Sequence, residues 1–515
     1  MIEKLRVDLA EKSEKLEVAE AEIRRLKELP KKPKIKASRL DEPFADSSGK
    51  KEKRKRPGSV KRKKKGTLKI DEIQQIEVED VPLGWKFKGY KSCIIQDLII
   101  RSNNIEYQLE IWQSPDGVQG MTAQLPAHLE NTHFGPTLKA YILHQYNECG
   151  VTQPLILSSL KDFGVDISAG MINNILVEKK EVFHAEKLSL LEKAIELKEE
   201  LRTDDTGARH AFKNGYCNCI NSDLFTYFTT SHSKSRVNFL EILNSQRETY
   251  QLNEAALEYA KAEGLGHKYY GVLLQSYQNG LQHFPNKQSL NAYFDLHDFT
   301  AVYALKIMTQ ALLIGSLIEH GFDPNTLIHS DGAGQFNVFL HSLCWKHAER
   351  PLVKLIASTA TQQKELEDKR TAFWSIYQDL KKYKQQPNSQ QATLIEQQFD
   401  QLCEPVTHFD SLSGLLKSLK NKKDKLLLVL TQPHTSLHNN DSERDIREYV
   451  KRRKISAGTR SENGKKARDT LLSLKKTCRK LGISFWDYLL DRLQNKNDID
   501  PLSLIMERTS SITKA

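Results

Sequence analysis

No run of 18 or more apolar residues occurs in the 515-residue chain, and its N-terminus has no hydrophobic signal core. A soluble protein without a membrane partner, staying in the cytoplasm where it is made, is therefore expected. Cysteine is scarce and scattered: Cys93, Cys149, Cys217, Cys219, Cys344, Cys403 and Cys478 make an odd seven, unlike a disulfide framework. Only Cys217 and Cys219 stand close, and their C-x-C spacing is one residue short of the C-x-x-C knuckle of most zinc modules. Alternate strand residues share a face, so a structural role is expected for both. Apolar residues reach only 39%, so part of the chain should be coiled coil, linker or exposed helix rather than core. No Ser, Tyr or Cys is placed to signal a covalent nucleophile.

Net positive charge is nearly absent outside one arm. Lys50 to Lys65 holds eleven basic residues and one acid, so this arm carries +10 of the net +11 and the other 499 residues only +1. A polyanion is its natural partner, because each cation on a phosphate releases condensed counterions. DNA contact is assigned to Lys53, Arg54, Lys55, Arg56, Lys61, Arg62, Lys63, Lys64 and Lys65; the bland alternative is a solvated linker.

The length calls for two to four domains. Residues 1–29 place Ile2, Leu9, Leu16 and Ile23 on one heptad position, with Leu5, Lys12, Ala19 and Leu26 on the other. That pattern predicts a coiled coil and self-association as a dimer or higher oligomer. Residues 30–66 read as a basic disordered linker. Alternating runs such as CIIQDLII and IEYQLEIW suggest a small β-rich module over 67–132. Over 133–200 short helices joined by Gly-containing turns, with Ser168 as an N-cap, look like a helix-turn-helix; a generic helical bundle fits nearly as well. From Leu201 the period changes. LRTDDT, YCNCI and LFTYFTT predict a three-strand meander, with turns at Asn214-Gly215 and Asn221-Ser222-Asp223. A catalytic α/β domain is placed at 201–460, with helical insertions near 245–320 and 351–425, and a helical C-terminal region at 461–515.

Three acidic sites stand out by position. Asp204 and Asp205 lie within the first strand of the meander, Asp331 follows the strand TLIHS directly, and Glu443 sits near the start of a helix. Carboxylates brought together repel and rise in pKa unless a cation neutralises them. Hard oxygen ligands select Mg2+ or Mn2+, and two such ions suit in-line phosphoryl transfer. Neighbouring strand residues point to opposite faces, so Asp204 and Asp205 cannot both serve.

Over residues 130–240 and 325–495 the chain resembles the insertion sequence sixty-six transposases. LRTDDTGARH is similar to that family's first-aspartate block, and SDGAGQF to its second. CWKHAER follows 13 residues after Asp331, and HNNDSERDIREYVKRRKISAGTRSENG is the closest match. The resemblance implies an RNase H-like core, a mixed sheet flanked by helices, in which Asp204, Asp331 and Glu443 are the catalytic and metal-binding triad. It selects Asp204 over Asp205. It implies a bacterial, nucleoid-associated DNA transposase that cuts and joins DNA at its element's inverted repeats and acts on target DNA, with accessory proteins of the same element as candidate partners. Arg444, Arg447, Arg452 and Arg453 are then expected on DNA phosphates. His347 is expected either to position a phosphate or water or to be a core residue, and Asn439 and Asn440 to cap the Glu443 helix. The chain departs from the family in having Cys93 alone where many members carry a Cys-rich zinc module, so no zinc is expected. The 127 residues from Asp204 to Asp331 imply an insertion. A domesticated DNA-binding regulator and a nuclease that cuts without joining are the rival readings.

Overall fold

The computed structural model describes residues 69–514, apart from Gly117, Asn131, Glu199 and Gln246. The heptad segment at 1–29, the linker at 30–66 and the basic cluster Lys53–Lys65 lie outside the described residues. Residues 69–99 contain neither helix nor strand, and Ile76, Val78, Trp85 and Ile95 stand exposed along them. Further on, β1 (Ile111–Gln113) pairs antiparallel with β2 (Gly120–Thr122). The expected β-rich module over 67–132 is thus corrected to one short ribbon among the described residues. Alternation alone does not make a sheet: CIIQDLII finds no partner strand, and its apolar side chains stay uncovered.

The helical stretch that follows forms as expected. It comprises α1 (Pro136–Asn147), α2 (Gln153–Asp162), α3 (Ala169–Val177) and α4 (Glu181–Glu196). Prolines open α1 and α2, where a missing N–H is harmless. The Ser168 hydroxyl accepts from the Met171 N–H at 3.2 Å and caps α3.

The central sheet has the order β5-β4-β3-β8-β9. Its meander is β3 (Leu201–His210), β4 (Lys213–Asn221) and β5 (Thr226–Ser231). The first turn is not at Asn214-Gly215 but at Ala211-Phe212, both with positive φ. Gly215 lies inside β4 opposite Ala208, where a Cβ would meet the Ser231 carbonyl at 2.8 Å. Its glycine answers a close approach of β5, not a turn.

Strands β8 (Leu327–Ser330) and β9 (Leu340–Leu343) add in parallel on the other side of β3. Between β5 and β8 come α5 (Arg236–Leu243), β6 (Tyr250–Gln251), α6 (Glu254–Ala262), α7 (His267–Gln278), β7 (His283–Phe284), α8 (Lys287–Leu296) and α9 (Val302–Glu319). Helix α9 is long and apolar enough to cross a membrane, but more than half of it is buried inside the protein. After β9 come α10 (Trp345–Lys354), α11 (Ala360–Tyr383), α12 (Ser389–Leu402), α13 (Asp410–Lys420) and α14 (Lys423–Leu426). These helices enclose a core of their own around Trp345, Phe373 and Phe399.

The chain closes with α15 (Asn440–Ser456), α16 (Glu462–Lys480), α17 (Phe485–Gln494) and α18 (Leu502–Lys514). Cys217 and Cys219 share one sheet face, as expected, and pack with Phe228 against Ile446, Tyr449 and Leu472 of α15 and α16. Ile220 and Tyr227 face the larger core shared with α1–α6, α9 and α17. Edge strand β5 is protected by α16. The amides of Thr226, Phe228 and Thr230 donate to Thr477, Ser473 and Asp469, one helical turn apart.

Candidate active site

Parallel pairing sets the first two acids side by side. Leu201 lies opposite Ile328 and Arg202 opposite His329. Continuing that register by two residues puts Asp204 level with Asp331, one strand spacing away. Asp331 begins the loop after β8, where its Oδ1 accepts from the Ala333 N–H at 2.9 Å.

Glu443 comes from the first turn of α15, where a helix N-terminus favours negative charge. Several contacts fix that helix to the sheet. The Asn439 side-chain amide donates to the Thr203 carbonyl at 2.8 Å, and the Ser442 hydroxyl to Asn221 Oδ1 at 3.2 Å. The Asp445 carboxylate accepts from Asn221 Nδ2 at 2.9 Å and Thr226 Oγ1 at 2.7 Å. Arg202 pairs with Asp441 at 2.7 Å and also with Asp223. Asn439 holds the N-cap position but does not cap: its amide is spent on β3. Asn440 likewise accepts from Lys346 Nζ at 3.0 Å. The expected capping role of both is corrected.

Electrostatics tie the three acids together. Burial pushes the Asp204 carboxyl up to about 7, and the negative charges of Asp331, Asp205 and Glu443 act in the same direction, against a bond from the Asp205 N–H. The 2.8 Å bond from that N–H reaches Asp204 Oδ1. Asp205 points elsewhere: it pairs with Lys234, accepts from Gln335 Nε2 at 2.6 Å, and its side chain is 5% exposed.

Glu443 lies among two arginines and a histidine. Arg350 Nη2 is 3.2 Å from its Oε1, His347 Nε2 3.7 Å from the same oxygen, and Arg447 Nη2 3.5 Å from its Oε2. Burial holds the His347 imidazole below its usual range, helped by Arg350 and opposed by Asp331 and Glu443. Its Nδ1 is buried and makes no hydrogen bond. His347 therefore faces the carboxylates rather than sitting satisfied in the core, whereas Trp345 is fully buried and donates to the Leu426 carbonyl at 3.0 Å.

Among the described residues no three His, Cys, Asp or Glu side chains stand within common reach of one ion. The donors are nonetheless of the right kind for a divalent cation. They are hard carboxylate oxygens, one held up in pKa by burial and by its acidic neighbours and one already drawing positive charge.

Of the four arginines expected on phosphate, Arg444 and Arg447 are exposed and Arg453 is half-buried. Arg452 is not available. It is 3% exposed, its guanidinium lies 3.3 Å from the Tyr146 ring centre, and Nη1 donates to the Tyr146 carbonyl at 2.8 Å. Its placement on DNA is corrected, because the helical turn carries it inward to α1. Sequence reasoning also missed Arg350, Lys234 and Gln335. Arg350 ends the CWKHAER block and Gln335 lies in SDGAGQF, so the motifs held the signal, but neither had been given a role.

Residues 315–467, a span that holds Asp331, His347, Arg350 and Glu443, match the family described as Transposase IS66 family. A protein of Sinorhizobium fredii, described only as uncharacterized protein y4jO, is 40% identical over 298 residues, which span 57% of this chain and 91% of that protein. No solved structure matches. The chain belongs to the IS66 family of transposases.

Proposed function

We propose that this transposase works by a DDE mechanism, with Asp204, Asp331 and Glu443 as ligands of Mg2+ or Mn2+ and DNA as the substrate. The observation that carries the reading is the placement of the three acids: strand register sets Asp204 level with Asp331, and Glu443 enters from the first turn of α15, close enough for its charge to act on Asp204. Asp204 is a half-buried carboxyl on a central strand, raised to about 7 by burial and by repulsion from Asp331 and Glu443, among others. A cation joining such a group would favour its anionic form. When bound, a pair of divalent ions supplies Lewis acidity and an activated water.

The residues of the chain have separate tasks in this reading. Asp204 and Asp331 present oxygens from adjacent strand positions, and Glu443 closes the site from α15. Asn439 sets the height of α15 on β3. Arg444 and Arg447 line the approach of the phosphate backbone, giving contacts that orient without reading sequence. Cutting at the element's ends frees a 3′-hydroxyl, which attacks target DNA directly, so no enzyme nucleophile is needed. The sheet order, an antiparallel meander with two parallel strands added beside its first strand, supports an RNase H-like core. End recognition is assigned to the helices over 133–200 together with the basic arm, and pairing of two ends to the heptad segment, all in the bacterial cytoplasm.

The test is cleavage and joining of a labelled DNA carrying the parent element's end, with Mg2+ or Mn2+ and the element's accessory proteins present. Glu443→Gln keeps the shape and removes a ligating charge. Joined product from the wild type and none from the variant is expected. Equal DNA binding with no metal-dependent chemistry from either would replace this reading with a DNA-binding regulator.

A further inference from the structure

A second cavity lies at the far end of α15 from Glu443. It is a cleft of about 630 Å³, within the size range of small-molecule sites. One wall is formed by the end of α1, the start of α2 and α3, with Gln153 and Asn173 facing in. The other is the corner joining α15 to α16, residues 454–461. The floor is apolar and buried, with Leu176, Ala467 and Leu471.

Two features give the cleft a ligand chemistry. Lys454, Arg460 and Arg468 line it, and no carboxylate does, although outside the basic arm the chain is nearly neutral. An anion is favoured there. The polar groups beside the floor are amides and hydroxyls, from Asn173, Gln153 and Thr152, and a side-chain amide offers both a donor and an acceptor.

The wall is also rigid. The Thr459 N–H donates to the Arg209 carbonyl at 2.9 Å and the Ala211 N–H to the Thr459 carbonyl at 2.8 Å, joining the corner to β3. Ala457 holds a positive φ, and a Cβ on Gly458 would collide with the Arg209 carbonyl. Arg468 Nη1 donates to the Ala457 carbonyl at 2.9 Å and Nη2 to Ser456 Oγ at 3.0 Å. The strand that carries Asp204 therefore also fixes this cleft.

We propose that the cleft takes one nucleotide unit extruded from the bound DNA, an inference that rests on the transposase reading above. Its phosphate sits by Lys454 and Arg460 at the rim, its base lies on the Leu176–Leu471 floor, and Asn173 and Gln153 meet the base edge. A base still stacked in a duplex cannot reach a buried apolar floor, whereas an unstacked one can. From Glu443 to Ser456 is thirteen helical residues, about 20 Å at 1.5 Å each. A strand running along α15 would cover that distance in roughly six stacked nucleotides at 3.4 Å apiece, which is where the search for the extruded position starts.

The same chemistry also fits a diffusible nucleotide, so the experiment has two arms. In the first, 2-aminopurine is placed singly at successive positions around the sixth nucleotide of a duplex carrying the parent element's end, and the full-length protein is added. At one position emission is expected to rise several-fold. Asn173→Trp fills the cleft from an exposed helix position and is expected to return the signal to baseline at protein concentrations where anisotropy shows the duplex still fully bound. In the second arm 2-aminopurine deoxyribose monophosphate is titrated alone. Binding that Asn173→Trp weakens by roughly tenfold, the size of one lost stacking contact, without brightening in DNA, keeps the site but assigns it to a free nucleotide. A bound duplex that brightens nowhere, with no free-nucleotide binding, overturns the site and leaves the transposase reading intact. Failure of duplex binding would instead count against that reading, and the free-nucleotide arm would still decide the cleft.

Discussion

The side-chain amide of Asn439 donates to the backbone carbonyl of Thr203 at 2.8 Å, joining the start of the Glu443 helix to the residue before Asp204. Both residues are fully buried, so the bond is shielded from water and acts as a fixed spacer between two of the three acids. Asn439→Ala removes it and is expected to lower stability by about 1–2 kcal/mol, measured by urea unfolding. The larger effect is expected on strand joining, because Glu443 loses its height above the sheet. A folded Asn439→Ala protein that joins DNA at the wild-type rate would show that the spacer has no part in the chemistry.

Asp204 makes stability depend on pH. A carboxyl raised to about 7 in the fold, from about 4 unfolded, favours folding while it is protonated. That contribution is present below pH 4 and is lost as pH rises through 7. Three units correspond to at most about 4 kcal/mol, less whatever solvent screens at this half-buried position. Without divalent ion, Asp204→Asn should flatten the fall in melting temperature between pH 4 and pH 7 and melt higher than wild type at pH 8. Unchanged pH dependence in the variant would mean that another group causes the fall.

Arg350 Nη2 lies 3.2 Å from Glu443 Oε1, so under the proposed mechanism it would compete with a divalent ion for that oxygen. The Arg350 side chain is more than half exposed, which limits such a pair to about 1 kcal/mol. Arg350→Ala is therefore expected to tighten Mn2+ binding by no more than about fivefold, read by isothermal titration. Weaker Mn2+ binding in the variant would instead make Arg350 the group that aims Glu443.

The sequence makes the strands of the site plain for physical reasons. Alternating apolar residues in YCNCI and LFTYFTT bury both faces of the sheet, and Asp331 follows directly on a short apolar strand. What stayed hidden depended on partners remote in the chain. Gly215 reads as a turn residue, and only the approach of Ser231 explains it. CIIQDLII is as apolar as any strand, yet among the described residues no neighbour covers it. Asn439 has the composition of a cap, but its amide is committed to Thr203, 236 residues earlier. Arg452 sits in a basic run that suggests DNA, and the helical period turns it inward onto Tyr146.

Arg452 and Arg447 lie five residues apart on α15 and should separate cleanly by experiment. The Arg447 side chain is 73% exposed and pairs with Glu443, so Arg447→Ala is expected to leave stability within about 0.5 kcal/mol. It should reduce the slope of log affinity against log salt by about one, the signature of a single lost phosphate contact. Arg452 is buried, and its Nε and Nη2 make no hydrogen bond. Arg452→Ala leaves a cavity beside Tyr146 and should cost about 3 kcal/mol. Arg452→Met fills the space and removes a poorly satisfied buried charge, so a cost within about 1 kcal/mol is expected. Neither Arg452 variant should alter the salt slope. A slope reduced by Arg452→Met in a protein of wild-type stability would put the guanidinium on DNA after all and require α1 to move away from α15 when DNA binds.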